Sequence, residues 1–377
     1  MACVKTILYF QANGKISARQ KLEGVYAYGR RHGWDVQVFE PCVSERKAAE
    51  LVRFWAPSGV IVECGSEQNH FNPAIFGTVP VVFLDRNPKT LNAPAFCVTH
   101  DSAATARFAA RELLALKLTA YAYIPWPEPR FWSEERERGF AESLHLNDCG
   151  YIRFNGKAKS SDIRSLQKEL SVWLRELPTP VGVFAANDFI ASQVIAAASR
   201  SGMNIPEDIA VVGVDNDELI CENTNPTLSS VMPDFRSAGE MAAEMLERRM
   251  AKSKMRPITE TFGPLRLMRR ASTNRFKKVD REVLAALDLI RRESCNGLKA
   301  RDVAARFSCT RRMAEIRFRA ATGKSMLEAI HEVRRDKALE LLSDQSLDRT
   351  SIANLCGYSS ANALMNFLRK NGKSFRQ

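Results

Sequence analysis

From residue 6 to residue 214 the chain alternates short β-branched runs with amphipathic stretches of helical period, a pattern that few folds accept. Runs at 6–10, 36–39, 59–62, 79–84, 96–98, 120–124, 181–185 and 209–214 read as strands, and 17–32, 44–55, 102–116, 134–146 and 189–201 read as helices. Strand–helix alternation of this length predicts parallel sheets in an α/β architecture. A chain of 377 residues holds two or three domains of ordinary size. Apolar periodicity lapses over 269–278, which predicts a first unit of residues 1–270, a linker at 271–281 and a second unit at 282–377.

A parallel sheet binds ligands beyond the carboxyl ends of its strands. The polar residues there are Gln11, Asn13, Asp85, Arg86, His100, Asp101, Asn187, Asp188, Asp215 and Asn216. Carboxylates and amides suit paired hydrogen bonds to sugar hydroxyls, and Trp126, Phe131 or Trp132 can lie against a sugar's apolar face. Asp101 and Asp188 also stand where helix caps fall, so capping is an equal reading of either one alone. Their recurrence after successive strands favours one shared cleft.

Charge is unevenly placed. Residues 1–265 hold 30 Lys/Arg against 31 Asp/Glu, whereas residues 266–377 hold 25 against 12, so the last third carries a net +13. That region is also patterned with apolar residues at helical spacing, which points to a nucleic-acid binder rather than a solvated basic tail. Two eight-residue frames recur in it, FRAATGKS at 318–325 and FLRKNGKS at 367–374. A phosphate-binding loop would need a Gly where each frame begins with Phe. Each frame instead ends a helix-turn-helix pattern. In the first pattern residues 298–307 read as the positioning helix, Cys309 as the turn, Thr310 as the cap and 311–322 as the recognition helix. Ala314, Phe318 and Ala321 face inward, leaving Arg311, Arg312, Glu315 and Arg319 outward. Arg312 suits guanine and Glu315 suits cytosine, while Arg311, Arg317 and Arg319 are placed for phosphates. Residues 326–342 read as a rigid connecting helix. The second pattern runs from Ser351 through Cys356-Gly357-Tyr358 to a helix at 361–370 capped by Ser359 or Ser360, with Asn362 and Asn366 as base readers suited to adenine. Either Phe367 or Leu368 fills the inward position there.

These motifs carry two resemblances. VGVFAANDFIASQVI, IPEDIAVVGVDNDELI and PTLSSVMPDFRSAGEMAAEML within 181–246, with Arg136-Glu137-Arg138-Gly139-Phe140 and Thr99-His100-Asp101-Ser102-Ala103, resemble the periplasmic-binding-protein-like effector domain of LacI-family regulators. The resemblance covers most of residues 4–270. It implies effector contacts at Asn13, Asp101, Arg136, Asn187 and Asp215, to which Trp132 is added as the stacking ring. A LacI-type DNA reader precedes the first strand, yet here that strand begins by Val4. Residues 282–377, with Ile352-Ala353 and Cys356-Gly357-Tyr358, resemble instead the two-motif DNA domain of the AraC family, and the order of the two domains is similar to that of its xylose operon regulators. Against that pattern the second recognition segment is one residue short, Phe375 replaces a usual Pro, and the chain stops at Gln377 before a usual Tyr-Arg, so a shortened C-terminus and a less specific second motif are expected.

The expected fold is therefore α/β periplasmic-binding-protein-like, with two doubly wound parallel-sheet subdomains, followed by an all-α double helix-turn-helix domain. The resemblance implies a transcriptional activator with no cofactor. Its effector is xylose, or another pentose or hexose, and its partners are a double-stranded DNA operator, a second copy in a homodimer, and RNA polymerase. A sugar-modifying enzyme with a basic appendage is the alternative. No Ser-His-Asp set, nucleotide loop or metal-ligand spacing among the five histidines supports it. The nine cysteines form no CxxC pair, which suggests a reducing compartment. The apolar run at 4–10 is too short for a signal peptide or membrane span, so a cytoplasmic protein that does not enter membranes is expected.

Overall fold

The computed structural model describes residues 4–39, 44–64, 71–87, 95–251, 255–274, 281–342 and 347–371. Most of the proposed linker (275–280), the Gly372-Lys373-Ser374 end of the second frame, and Phe375 lie outside them. The chain divides into two compact units, Met1–Thr273 and Asn274–Gln377.

The first unit begins β1 (Lys5–Phe10), α1 (Ile16–His32), β2 (Trp34–Phe39), α2 (Glu45–Trp55), β3 (Gly59–Glu63), β4 (Val81–Leu84) and β5 (Phe96–His100). It continues α3 (Ser102–Ala115), β6 (Ala120–Ile124), α4 (Phe131–His145), β7 (Ile152–Arg153), α5 (Ile163–Glu176), β8 (Val181–Ala185), α6 (Asp188–Arg200), β9 (Ile209–Val214), α7 (Glu218–Cys221) and β10 (Ser229–Pro233). It closes with α8 (Phe235–Ala251), β11 (Thr259–Phe262) and β12 (Pro264–Met268). Two sheets result, ordered β11-β5-β4-β3-β1-β2 and β12-β10-β9-β8-β6-β7. Both follow one doubly wound plan, in which strand order reverses beside the first strand of each half. The first sheet is parallel throughout, and the second is parallel apart from its edge strand β12, which runs antiparallel to β10.

Burial explains the strands. Positions in β3 and β9 are buried throughout, as strands covered by helices on both faces require. The chain passes between the halves at β5 to α3, β10 to α8 and β11 to β12. Phe235, Ala238, Ala242 and Leu246 of α8 pack into the first half's core with Ile7, Val25 and Ile61, whereas Ala106, Ala110 and Leu113 of α3 pack into the second half's core with Phe140 and Phe184. Helices α1 and α8 touch backbone to backbone. A Cβ on Gly24 would lie 2.0 Å from the Arg236 carbonyl oxygen, and one on Gly239 would lie 1.9 Å from that of Lys21, so no larger residue fits either site.

Residues 269–273 are built into this unit. Arg269 Nε donates to both Glu112 oxygens at 2.9 and 2.8 Å, and Arg270 Nη1 donates to the Leu228 carbonyl at 3.0 Å. Ser272 Oγ donates to the Val211 carbonyl at 2.6 Å, and Thr273 Oγ1 to Glu112 at 3.2 Å. The sequence boundary at 270 thus falls three residues early, because a run rich in Arg, Ser and Thr looks like a linker until its partners are known.

The second unit is helical: α9 (Arg281–Glu293), α10 (Ala300–Ala304), α11 (Arg311–Thr322), α12 (Met326–Leu342), α13 (Arg349–Leu355) and α14 (Ala361–Asn371). It has two small cores. Val283, Ile290, Val303, Ala304, Phe307, Ala314 and Phe318 form the first, and Ala338, Ile352, Ala353, Cys356 and Leu364 the second. Helix α12 contributes to both, as the sequence reading expects of a connector.

Candidate functional site

The ends of β1, β3, β4, β5, β8 and β9, with residues of α1 and α4, surround one cavity of about 140 Å³. Reversal of strand order beside β1 splays the connecting loops apart and opens this space. Asn13, Trp132, Arg136, Asn187 and Asp215 all line it, as do Asp85 and His100 from the wider strand-end set.

Its floor on one side is an ion cluster. Lys21 Nζ, with a side chain only 5% exposed, donates to Glu63 Oε1 at 3.0 Å and to Asp85 Oδ2. Glu63 Oε2 also accepts from the Ala12 N–H at 3.1 Å and the Tyr9 hydroxyl at 3.4 Å. Burial opposes charge on Lys21, but Asp85 and Glu63 more than offset it and hold the ammonium above its ordinary pKa. Glu63 ends β3, a position a strand-end survey can reach. Lys21 sits mid-helix, where nothing in the sequence separates it from a solvated lysine.

Arg136 dominates the other side. Its guanidinium donates to the Ala186 carbonyl, stands 3.7 Å from Asp215 Oδ1 and 3.5 Å from His100 Nδ1, and lies 4.9 Å over the Trp132 ring. Its Nε is buried without a partner, a donor waiting for an acceptor. Burial, then Arg136 and Lys21, push His100 well below its usual pKa, so the ring is neutral. Burial raises the Asp215 carboxyl against the pull of Arg136. Asp215 and the following Asn216 both have positive φ, 108° and 50°, a strained turn that aims the Asp215 side chain at the cavity. Asn187 Oδ1 caps α6 through the Ile190 N–H at 3.0 Å, leaving its amide nitrogen for a ligand.

Asp101 is not among the lining residues. Its Oδ1 accepts the Ala104 N–H at 2.7 Å and caps α3, and its Oδ2 stands 3.8 Å from Arg107. The structure thus gives Asp101 a capping role through one amide and does not bring it to the cavity with the other expected effector contacts.

In the second unit, α11 has the expected bounds, with Thr310 Oγ1 accepting from the Met313 N–H at 3.4 Å. The positioning helix is shorter than 298–307, being Ala300–Ala304. Arg311, Arg312 and Arg319 are exposed and Glu315 half-buried. Arg317 departs from its expected phosphate role. It pairs with Glu282 of α9 at 2.8 Å and lies 5.5 Å from the Phe307 ring, so it braces the helix from within. Sequence reading passed over Met313 and Ile316, which are 48% and 53% exposed on the same outward face. In the second motif Ser360 Oγ accepts the Ala363 N–H at 3.2 Å and so caps α14. Counting from each cap fixes the register: Leu364 and Leu368 pack inward as Ala314 and Phe318 do, while Phe367 meets Tyr358 and His331, with ring centroids 5.2 and 5.0 Å apart. Asn362 then corresponds to Arg312, Asn366 to Ile316 and Arg369 to Arg319, all three being exposed.

The periplasmic binding protein-like domain family matches residues 110–273, and the helix-turn-helix domain family matches residues 303–373. The xylose operon regulatory protein of Escherichia coli strain K12 is 27% identical over 371 residues, covering 96% of this chain and 93% of that one. Its counterpart in Haemophilus influenzae is 26% identical over 97% of this chain and 95% of that one. A solved structure described as a xylose-binding transcription activator superposes on all of this chain and 97% of that one, with a TM-score of 0.63 at 25% identity. The chain is a homologue of the xylose operon regulators. It is accordingly a sugar-responsive transcription regulator with a DNA-binding helix-turn-helix domain, and its homologues are regulators rather than enzymes.

In this regulator the effector-domain match ends at residue 273, where the backbone is still pinned to β9 and β10. Among the described residues no group of three His, Cys, Asp or Glu could hold a metal, the cysteines are free thiols, and no helix is long and apolar enough to cross a membrane.

Proposed function

We propose that the regulator senses a neutral aldose of the xylose type in this cavity and, when loaded, activates genes for use of that sugar. The observation that carries this reading is charge balance. Lys15, Lys21 and Arg136 meet Glu63, Asp85 and Asp215 around the cavity, so no surplus cation invites a phosphate or sugar acid. Paired polar groups instead suit a polyol whose hydroxyls both donate and accept, and Trp132 and Phe235 offer apolar faces. Arg136, Asp215, Asn187, Asn13 and Trp132 are the contacts assigned to it. Closure over the sugar acts on DNA binding only through its differential affinity for the two states. Two motifs joined by α12 fit an operator read on two successive turns of duplex DNA. The regulator is further assigned as a cytoplasmic homodimer, the commonest symmetric assembly, with RNA polymerase as the partner in activation. A thermal-shift screen against neutral aldoses, sugar phosphates and sugar acids tests the assignment. Xylose or a close aldose should raise the melting temperature, and stabilisation by charged sugars alone would overturn it.

A further inference from the structure

Beside the inner cavity, and sharing Lys15, Ser17, Asn187 and Asp215 with it, lies a second of about 330 Å³. The outer space is more than twice the inner one, so a single sugar ring seated in the inner cavity leaves the larger volume unfilled. The two are joined by a continuous aromatic wall. Trp132 borders the inner cavity, Trp126 packs 6.1 Å from it, and Phe189 lies 5.9 Å beyond Trp126, the last two facing the outer cavity. Asp217 and Ser160 also line it; the Ser160 N–H and Oγ both donate to Glu128 Oε1 at 2.9 Å, which leaves the Ser160 oxygen to accept from a sugar hydroxyl. Lys15 Nζ sits 5.2 Å over the Trp126 ring on an exposed side chain, a cationic cover that a stacking sugar can displace at little cost.

We infer that this outer cavity is a subsite for a second sugar ring, so that the regulator's preferred effector is a disaccharide or glycoside of the aldose rather than the free monosaccharide. The inference rests on the neutral-sugar reading of the inner cavity and adds the residue stacked on Trp126. Asp215 and Asn187 border both spaces and would lie beside the glycosidic bond.

The test is titration calorimetry on the full chain with neutral aldopentoses and aldohexoses and with disaccharides built from them in both anomeric linkages. At least one disaccharide should bind ten-fold or more tighter than its monosaccharide. Ile220→Trp and Ser161→Trp, each at a residue that lines the outer cavity and not the inner one, should each erase that advantage while leaving monosaccharide affinity within two-fold. A monosaccharide binding as tightly as every disaccharide overturns the subsite and leaves the inner assignment standing. A disaccharide advantage that survives both filling variants overturns it as well. Binding of neither class overturns the inner assignment and the subsite together.

Discussion

Arg317 of α11 reaches Glu282 of α9 at 2.8 Å, so a residue placed for DNA by sequence alone is committed to holding the recognition helix. Arg317→Ala should lower the melting temperature of the regulator by a few degrees and leave base preference unchanged. Arg312→Ala should spare the melting temperature but weaken operator binding by ~1–3 kcal/mol and relax preference at one base pair. Thermal melts beside selection from random DNA separate the two, and the reverse pattern would show that Arg317 reads DNA after all.

Met313 and Ile316 place apolar side chains on the reading face, where thymine methyls are the natural contact. Ile316→Gln should cost about 1 kcal/mol against the preferred site and shift one selected base away from thymine. By the cap-based register Asn366 stands at the corresponding place in α14, so Asn366→Ala should alter one position in the other half of the site.

Lys21 neutralises two carboxylates in a nearly dry setting. Lys21→Met should destabilise the effector unit by ~3–5 kcal/mol, since it leaves Glu63 and Asp85 facing each other without a cation. Denaturant unfolding measures this. A loss below 1 kcal/mol would mean that water replaces the ammonium.

Asp101→Ala removes a cap, and its cost should be ~1 kcal/mol of stability with sugar affinity unchanged in calorimetry. A ten-fold loss of affinity would return Asp101 to the binding site.

Asp188 is buried at the start of α6. It accepts from Ser230 Oγ at 2.6 Å and the Asp217 N–H at 2.8 Å, yet burial, and after it Asp215, push its carboxyl up to about 8. A folded-state pKa raised above the unfolded value of ~3.9 means proton uptake on folding. The resulting stability is complete below pH 4 and is lost as pH rises toward 8. The stability of the native chain minus that of Asp188→Asn, followed by unfolding from pH 5 to 8, should therefore fall as pH rises. A difference that stays flat over that range would show Asp188 ionised throughout.

Much of the architecture was legible because periodicity reports burial. The strands at β3, β8 and β9 stand within a residue of their expected bounds, and α11 matches them at both ends. Lys21 and Arg317 were not legible, since their partners lie 42 and 35 positions away in the chain and a charged residue on a helix carries no local mark of being buried. Asp101 failed for the opposite reason. A cap and a ligand contact ask for the same side chain at the same strand end; Asn187 caps α6 and also lines the cavity, whereas Asp101 caps α3 and does not.

The three passages between the halves of the effector unit bear on how such a chain can be divided. Neither half is a contiguous stretch: the first lacks α8 and β11 until the second has been written, and the second is completed by β12 only after the chain has returned once to its neighbour. A fragment cut near Asp101 would expose the β5 edge and the face that α8 covers, leaving an open strand and an apolar surface prone to aggregation. Recombination or truncation can therefore exchange this unit only as a whole. On the ribosome, its first half must wait for some 160 further residues before its core can close.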